Sequence, residues 1–329
     1  AFKAPSLIDQ FEGGSSGLGY VSDWGNCYVL TGNTALNVGN CPPQLQYPAT
    51  VVEQSNPALE PMTSKNFSYG AVWSPNAHVS MSLDYQHISI RNEVLKENPD
   101  LLGQEQLYCL TGTLGPQSPT CQAVDAQIIR GPATPGLPLG PITEVTTTKI
   151  NIAHEVNNAL NASFTYRTDP HAWGYLDFVL GWTRVKTHRQ QQFPGDPVID
   201  FLNNPGFSTE FQTKANAVLT WTRGKWGATL YGTYFGPTPN YIAQFNDGYD
   251  VAYAGKVAAW RIYNASVNYS PTPAWRLSLR VNNLRNSMPP IDITASGSNN
   301  QPFNAGNYNP YGRELFVEAR YQFGRGGDH

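Results

Sequence analysis

Apolar and polar residues alternate along most of this chain with a period of two. In 175–185, Leu176, Phe178, Leu180 and Trp182 fall on one side, and Tyr175, Asp177, Val179, Gly181 and Thr183 on the other. The runs 78–86, 262–269 and 275–282 repeat the pattern, and 149–167 carries it almost unbroken from Ile150 through Val156, Leu160 and Phe164 to Tyr166. Successive side chains of a strand point to opposite faces, so sustained alternation predicts strands with two different surroundings. It predicts nine full strands, near 64–73, 78–93, 143–167, 175–189, 211–222, 226–235, 259–269, 275–284 and 312–323. Most reach the ~9–11 residues that a tilted strand needs to cross a bilayer, against the ~5–6 usual in soluble sheets.

The connections sort by length. Short turns fall at Ser74–Ala77, Asp169–His171, Arg223–Lys225 and Ser270–Pro273, and long polar loops near 94–142, 190–210, 236–258 and 285–311. Short turns at one end and long loops at the other are the arrangement of an outer-membrane barrel. A soluble sandwich has no reason to sort them, and a structureless loop as long as 94–142 argues against one. Trp73, Tyr166, Trp173, Trp221, Trp226, Tyr269, Trp275, Tyr321 and Phe323 sit near strand ends, where amphipathic rings bridge lipid and headgroup. The fold class is therefore all-β, a transmembrane antiparallel up-and-down barrel, with no domain boundary visible.

Composition agrees. Charged residues are 14% of the 329, aromatics 12%, and Gly and Pro number 30 and 26. The net charge of -3 gives no basis for a nucleic-acid partner. No stretch approaches the ~18 apolar residues of a membrane helix. The chain opens at Ala1 without a secretory leader, so it is read as processed or as a fragment.

Cys27, Cys41, Cys109 and Cys121 form two close pairs in Gly-, Pro- and Ser-rich surroundings. Of three possible connectivities the local one is simplest, and neither pair has the C-x(2–4)-C spacing of a zinc site. Two local disulfides and an oxidising compartment are expected. No nucleophile elbow, phosphate loop or zinc motif occurs, so the chain is not read as an enzyme and no metal or cofactor is expected. His78, His87, His154, His171, His188 and His329 are scattered, and three glycosylation-like triplets fall inside predicted strands.

Several segments resemble the C-terminal half of TonB-dependent receptors. Ala1–Ser6 is similar to the family's G-[FY]-R-A-P-S segment. Asn56–Asn66 is similar to N-P-x-L-x-P-E-x-S-x-N, with Met62 where an acidic residue is usual. Val281–Leu284 matches V-x-N-L, Tyr308–Arg313 matches the entry to the last strand, and Tyr321-Gln322-Phe323 resembles the terminal aromatic segment. The family usually stops at that aromatic, whereas here Gly324 to His329 follow.

The resemblance implies the last nine to ten strands of a twenty-two-stranded barrel over 1–323, with 324–329 a short tail. It implies a plug domain and an N-terminal barrel half outside this chain, and TonB-driven uptake of a scarce extracellular ligand such as a siderophore, cobalamin, haem, oligosaccharide or peptide. The implied surroundings are a Gram-negative outer membrane with its lipid bilayer and lipopolysaccharide. Glu155, Arg167, Asp177, Arg184, Arg276, Arg280, Glu318 and Arg320 are then expected to face the lumen and meet the plug. Trp24, Tyr28, Tyr241, Phe245, Tyr249, Tyr253 and Phe303 are loop aromatics that could stack on a ligand or pack loop against loop. A passive pore or a non-transport barrel is the alternative.

Overall fold

A computed structural model describes residues 1–32, 45–97, 99–152, 154–192, 198–203, 210–240, 255–292, 303 and 307–323. Strands and helices are numbered along the whole chain. Nine long strands form one antiparallel sheet: β4 (Met62–Asn76), β5 (Val79–Arg91), β9 (His154–Arg167), β10 (Tyr175–Gln191), β12 (Thr213–Arg223), β13 (Trp226–Phe235), β16 (Trp260–Thr272), β17 (Trp275–Asn282) and β18 (Glu314–Tyr321). They pair in that order. β1 (Phe2–Lys3) borders β4, and β11 (Ile199–Asp200) extends β10. Nine long strands and a stub agree with the alternation. The sheet is open, with β1 and β18 at its edges.

The register gives the sheet two chemically distinct faces. One row runs Tyr166, Phe178, Leu219, Leu230, Ala265, Val281 and Leu315 across seven strands. A row on the opposite face runs Arg167, Asp177, Thr220, Thr229, Ser266, Arg280 and Phe316. The aromatic residues near the short turns lie on the apolar face, where Trp226 stacks on Tyr269 at 4.4 Å and Trp275 meets Tyr321 at 4.8 Å. The turns are chemically set. Asn76 Oδ1 accepts the His78 and Val79 N–H groups, and Gly174 holds φ +104 where a Cβ would strike the Thr222 carbonyl.

Two expectations need correction. The region 94–142 is not structureless, and 143–167 is not one strand. β2 (Ser15–Ser22), β3 (Gln46–Gln54), β6 (Glu93–Lys96), β7 (Ile128–Arg130) and β8 (Ile142–Ile152) build a second, five-stranded sheet. In it β3 and β8 run parallel, and β2, β6 and β7 are antiparallel to their neighbours. Three helices cover it: α2 (Trp24–Thr31), α3 (Pro99–Leu110) and α4 (Pro119–Gln127). The short α1 (Leu7–Phe11) lies at the β1 edge. Val21, Ala49, Leu102, Val124, Ile128, Ile142 and Val145 form a buried core. The Cys109–Cys121 disulfide ties α3 to α4. Cys27 is also disulfide-bonded, and its expected partner Cys41 lies outside the described residues.

The alternation of 143–167 passes from one sheet into the other. β6 pairs with β8 (Glu93 opposite Ile152) as a continuation of β5 with β9 (Ile90 opposite Glu155). At the joint Asn92 takes φ +55. Asn151 Nδ2 donates to the Glu60 and Asn92 carbonyls, and the Glu60 N–H donates to Asn151 Oδ1 at 2.7 Å. Asn56 Nδ2 donates to the Lys149 carbonyl at 2.9 Å. Two residues of the Asn56–Asn66 segment thus clamp the second sheet to the first.

Two further strand pieces, β14 (Thr238–Pro239) and β15 (Lys256–Val257), pair beyond β13 and β16. All of these additions lie at the end of the long sheet opposite the short turns, as the hairpin order requires.

Candidate functional site at the outer mouth

Three groups of residues stand out: a charged set that runs along the polar face from the short-turn end to the long-loop end, and two groups at the long-loop end. The first is the charged set on the polar face. Arg167 and Asp177 stand opposite one another and form an ion pair. Arg276 stands opposite Arg320, with Glu318 3.8 Å from Arg320, and the Arg280 guanidinium lies 4.9 Å from the Phe316 ring centre. Glu155 accepts from His188 at 3.2 Å and from Gln190 at 3.2 Å. Arg184 differs. It pairs with Leu160 and Thr213 and so shares the face of Phe178, Leu180 and Trp182. Its parity with Trp182 was readable in the sequence, and only its charge argued for the lumen.

His188 is a member that sequence reading passed over. A bulge between Val185 and Thr187 adds one residue to β10 and reverses the parity beyond it. His188 therefore turns onto the polar face, between Glu155 and Glu210 Oε2 at 2.7 Å, with its ring 4.8 Å from Phe201. Unbroken alternation gives no sign of such a reversal. Glu93 comes down from the second sheet beside Glu155. Its burial, and secondly the Glu155 carboxyl, push it up to about 7.

The second group is aromatic. Phe211, Phe235, Trp260 and Tyr308 pack together, with Phe303, Ile262 and Val257 against them. Phe211 lies 4.9 Å from Phe235 and edge-on to Tyr308 at 5.5 Å, and Trp260 meets Tyr308 at 5.5 Å. The Trp260 Nε1 is buried without a hydrogen-bond partner. Phe235, Trp260 and Ile262 are polar-face positions at the long-loop end, so the cluster roots three long connections against the inner side of the sheet. Of the loop aromatics expected to reach a ligand, Phe303 packs here. Trp24 is buried in α2 with a 6% exposed side chain, and Tyr28 is half-buried on that helix. Tyr241, Phe245, Tyr249 and Tyr253 lie outside the described residues.

The third group holds the second sheet together. Arg130 makes a two-pronged ion pair with Asp23, at 2.9 and 2.8 Å, and also donates to the Gly140 carbonyl and Gln106. The Tyr47 hydroxyl donates to Asp23 at 2.6 Å, as does Asn26 Nδ2 at 2.7 Å. Burial works against the Asp23 carboxylate, but Arg130, Tyr47 and the Asn26 N–H outweigh it and hold it below the usual carboxylate range. Glu97 goes the other way, because burial pushes it up despite the Thr148 N–H and Gln127.

The motif residues near the C-terminus also acquire roles. Asn283, buried at φ +48, donates from Nδ2 to the Ser287 and Tyr311 carbonyls and accepts the Ser287 N–H at 2.7 Å. Tyr308 sits in the aromatic cluster. Arg313 N–H donates to Asn286 Oδ1 at 2.8 Å.

The profile of the TonB dependent receptor-like β-barrel family matches residues 1–284. The chain belongs to the TonB-dependent receptor β-barrel family. Members of that family are outer-membrane β-barrels and transporters, and in such a barrel the polar face of the long sheet is lumenal and the apolar face meets lipid.

A search of curated protein sequences finds no match. Among solved structures, the ferric enterobactin receptor PfeA of Pseudomonas aeruginosa, in complex with enterobactin, is 15% identical. The match covers 98% of this chain and 37% of that one, with a TM-score of 0.56. The siderophore receptor PirA of Acinetobacter baumannii is 14% identical over 98% of this chain and 38% of its own, with a TM-score of 0.54. At these identities the likeness is one of fold. This chain spans a little over a third of the length of either structure.

Proposed function

We propose that this chain forms the C-terminal barrel portion, residues 1–323, of an outer-membrane receptor that takes up a scarce ligand with energy from TonB. Residues 324–329, expected to be a short tail, lie outside the described residues. The observation that carries this reading is the open two-faced sheet with both edges unclosed. In lipid each edge N–H and C=O needs a partner, so further strands must complete the wall. A plug and an N-terminal barrel half on polypeptide beyond this chain would supply them. The lumenal charges, Arg167 with Asp177, Glu155 with His188, and the set Arg276, Arg280, Glu318 and Arg320, then lie where a plug would meet them. Arg184, on the lipid face, leaves that set.

The ligand is proposed to be an iron–siderophore complex, the class bound by the receptors of similar fold. It would enter between the aromatic cluster around Trp260 and the second sheet. The test is uptake of radiolabelled ferric siderophores by cells carrying the complete gene, with and without TonB. Accumulation that vanishes without TonB is expected. Equal accumulation in both strains would make the barrel a passive pore, and no accumulation of any ferric siderophore would move the ligand to another class.

A further inference from the structure

Two kinds of contact hold the second sheet to the long one. The first is amide to carbonyl, from Asn56 to Lys149 and from Asn151 to Glu60 and Asn92. These contacts carry no charge and do not respond to pH. The second is carboxyl to carboxyl, Glu93 of β6 beside Glu155 of β9.

Glu93 reaches Glu155 through a break in the alternation. Ile90 stands opposite Glu155, so strict alternation would put Glu93 on the other face. Asn92 lies between them at φ +55 and turns Glu93 back to the side of Glu155. There the Glu93 Oε2 is buried and, among the described residues, accepts no hydrogen bond. Glu155 is itself an acceptor, taken by His188 and Gln190 at 3.2 Å each, and Glu210 holds the other His188 nitrogen at 2.7 Å. Two carboxyl groups meet in a buried place only when one of them carries a proton and donates it. His188 and then Lys3, which stands opposite Met62, are the cations acting on Glu93. Lys96 and Lys149 lie on the other face of β6 and β8, engaged by Glu53 and Asp9 at 2.7 Å each.

We propose that Glu93 and Glu155 form a proton-operated latch between the second sheet and the long sheet, closed while Glu93 holds its proton and forced apart by like charge once the proton is lost. The amide contacts around Asn151 remain as the hinge. Burial, and secondly the Glu155 carboxyl, push Glu93 from the ordinary 4.5 up to about 7. The closed joint therefore holds a proton that the open joint releases. Closure is favoured in full below 4.5, loses ground as pH rises from there to about 7, and above that rests on the amide contacts alone. The latch goes beyond the uptake reading and does not depend on the ligand.

The test is hydrogen exchange of the complete receptor in detergent micelles from pH 5 to pH 9, with the intrinsic pH dependence of exchange divided out. Protection of 93–96 and 149–152 should fall by up to about tenfold per pH unit until neutral pH and then level off. Glu93→Gln keeps a neutral donor in place at every pH, so its joint should stay protected through pH 9. Glu155→Gln removes the like charge and should shrink the fall to the part that burial causes. Glu97→Gln, at the second sheet's other raised carboxyl, should leave the levelling point of the joint unmoved. Heat-modifiable migration on gels reports folding of each variant. A wild-type joint equally protected from pH 5 to pH 9 overturns the latch. So does a folded Glu93→Gln or Glu155→Gln receptor with the wild-type profile, and so does a levelling point that moves with Glu97→Gln.

Discussion

The long sheet and the second sheet come from one stretch of sequence but satisfy their backbones and side chains in different ways. The long sheet leaves most of its large apolar side chains exposed, apart from the aromatic cluster around Trp260. Trp73, Leu83, Val179, Leu219, Val267 and Leu279 are large apolar side chains left exposed on it. The second sheet encloses its own core, with Leu102 at 0% and Val145 at 1% exposure, and neutralises a buried charge with Asp23 and Arg130. The first leaves most of its apolar face unburied by the rest of the chain. The second carries its solvent-excluding partners within the chain. A barrel wall and a folded module that continues from its long-loop end can therefore fail independently, and the following experiments test that separation.

The largest effect should come from Asp23→Ala. It strands the mostly buried Arg130, and the loss should be about 3–5 kcal/mol, confined to the second sheet. Denaturant unfolding followed by hydrogen exchange in 15–54 and 93–152 measures it, while heat-modifiable migration reports the wall. Loss of both together would erase the distinction. Next, Leu180→Arg on the lipid face should cost about 2–4 kcal/mol of barrel stability in bilayers, while Val179→Arg on the lumenal side should cost far less. Equal costs would remove the two-faced wall. Replacing Cys109 and Cys121 by Ser should destabilise the α3–α4 region by about 3 kcal/mol through the freer unfolded chain. Limited proteolysis between α3 and α4 reads this out.

The smallest effect is pH dependence within the second sheet, where two carboxyls oppose each other. Asp23 is depressed when folded, so its contribution is complete above the ordinary 3.8 and is lost as pH falls below it. Glu97 is raised when folded, so its contribution is complete below the ordinary 4.5 and is lost as pH rises through its folded value. Glu97→Gln should therefore flatten only the loss on the alkaline side, by about 1 kcal/mol for each unit of its displacement. Hydrogen exchange of β8 against pH decides it, and a change confined to the acid side would reverse the assignment.

The wall was legible because lipid and lumen imprint a period of two on the chain. β4, β5, β10, β12, β13 and β16 to β18 fall within a few residues of the alternation. The module was not legible, for three physical reasons. Its strands come from three separated segments, so β3 meets β8 only in space. The alternation of 143–167 is the same whichever sheet receives it, and nothing in it marks the change from β8, ending at Ile152, to β9, beginning at His154. Residues 94–142 look polar because Glu97, Glu105 and Gln106 are buried with polar partners rather than exposed. Along the wall, the charged residues were visible but their aim was not. The β10 bulge sends His188 inward, and Arg184 shows that parity outranks charge. The aromatic cluster escaped because Phe211, Phe235 and Trp260 looked like strand residues, while the loop aromatics drew attention.

The interleaving of the two sheets also imposes an order of events on biogenesis. β2 and β3 precede the β4–β5 hairpin in the chain, and β6 to β8 follow β5, so the second sheet cannot close until β4 and β5 have been made. Its core must assemble from segments on either side of a hairpin bound for the bilayer, and its helices are sealed by a bond that forms only in an oxidising space. The machinery that inserts such a barrel therefore has to release the strands of the second sheet on the far side of the membrane while they are still unpaired.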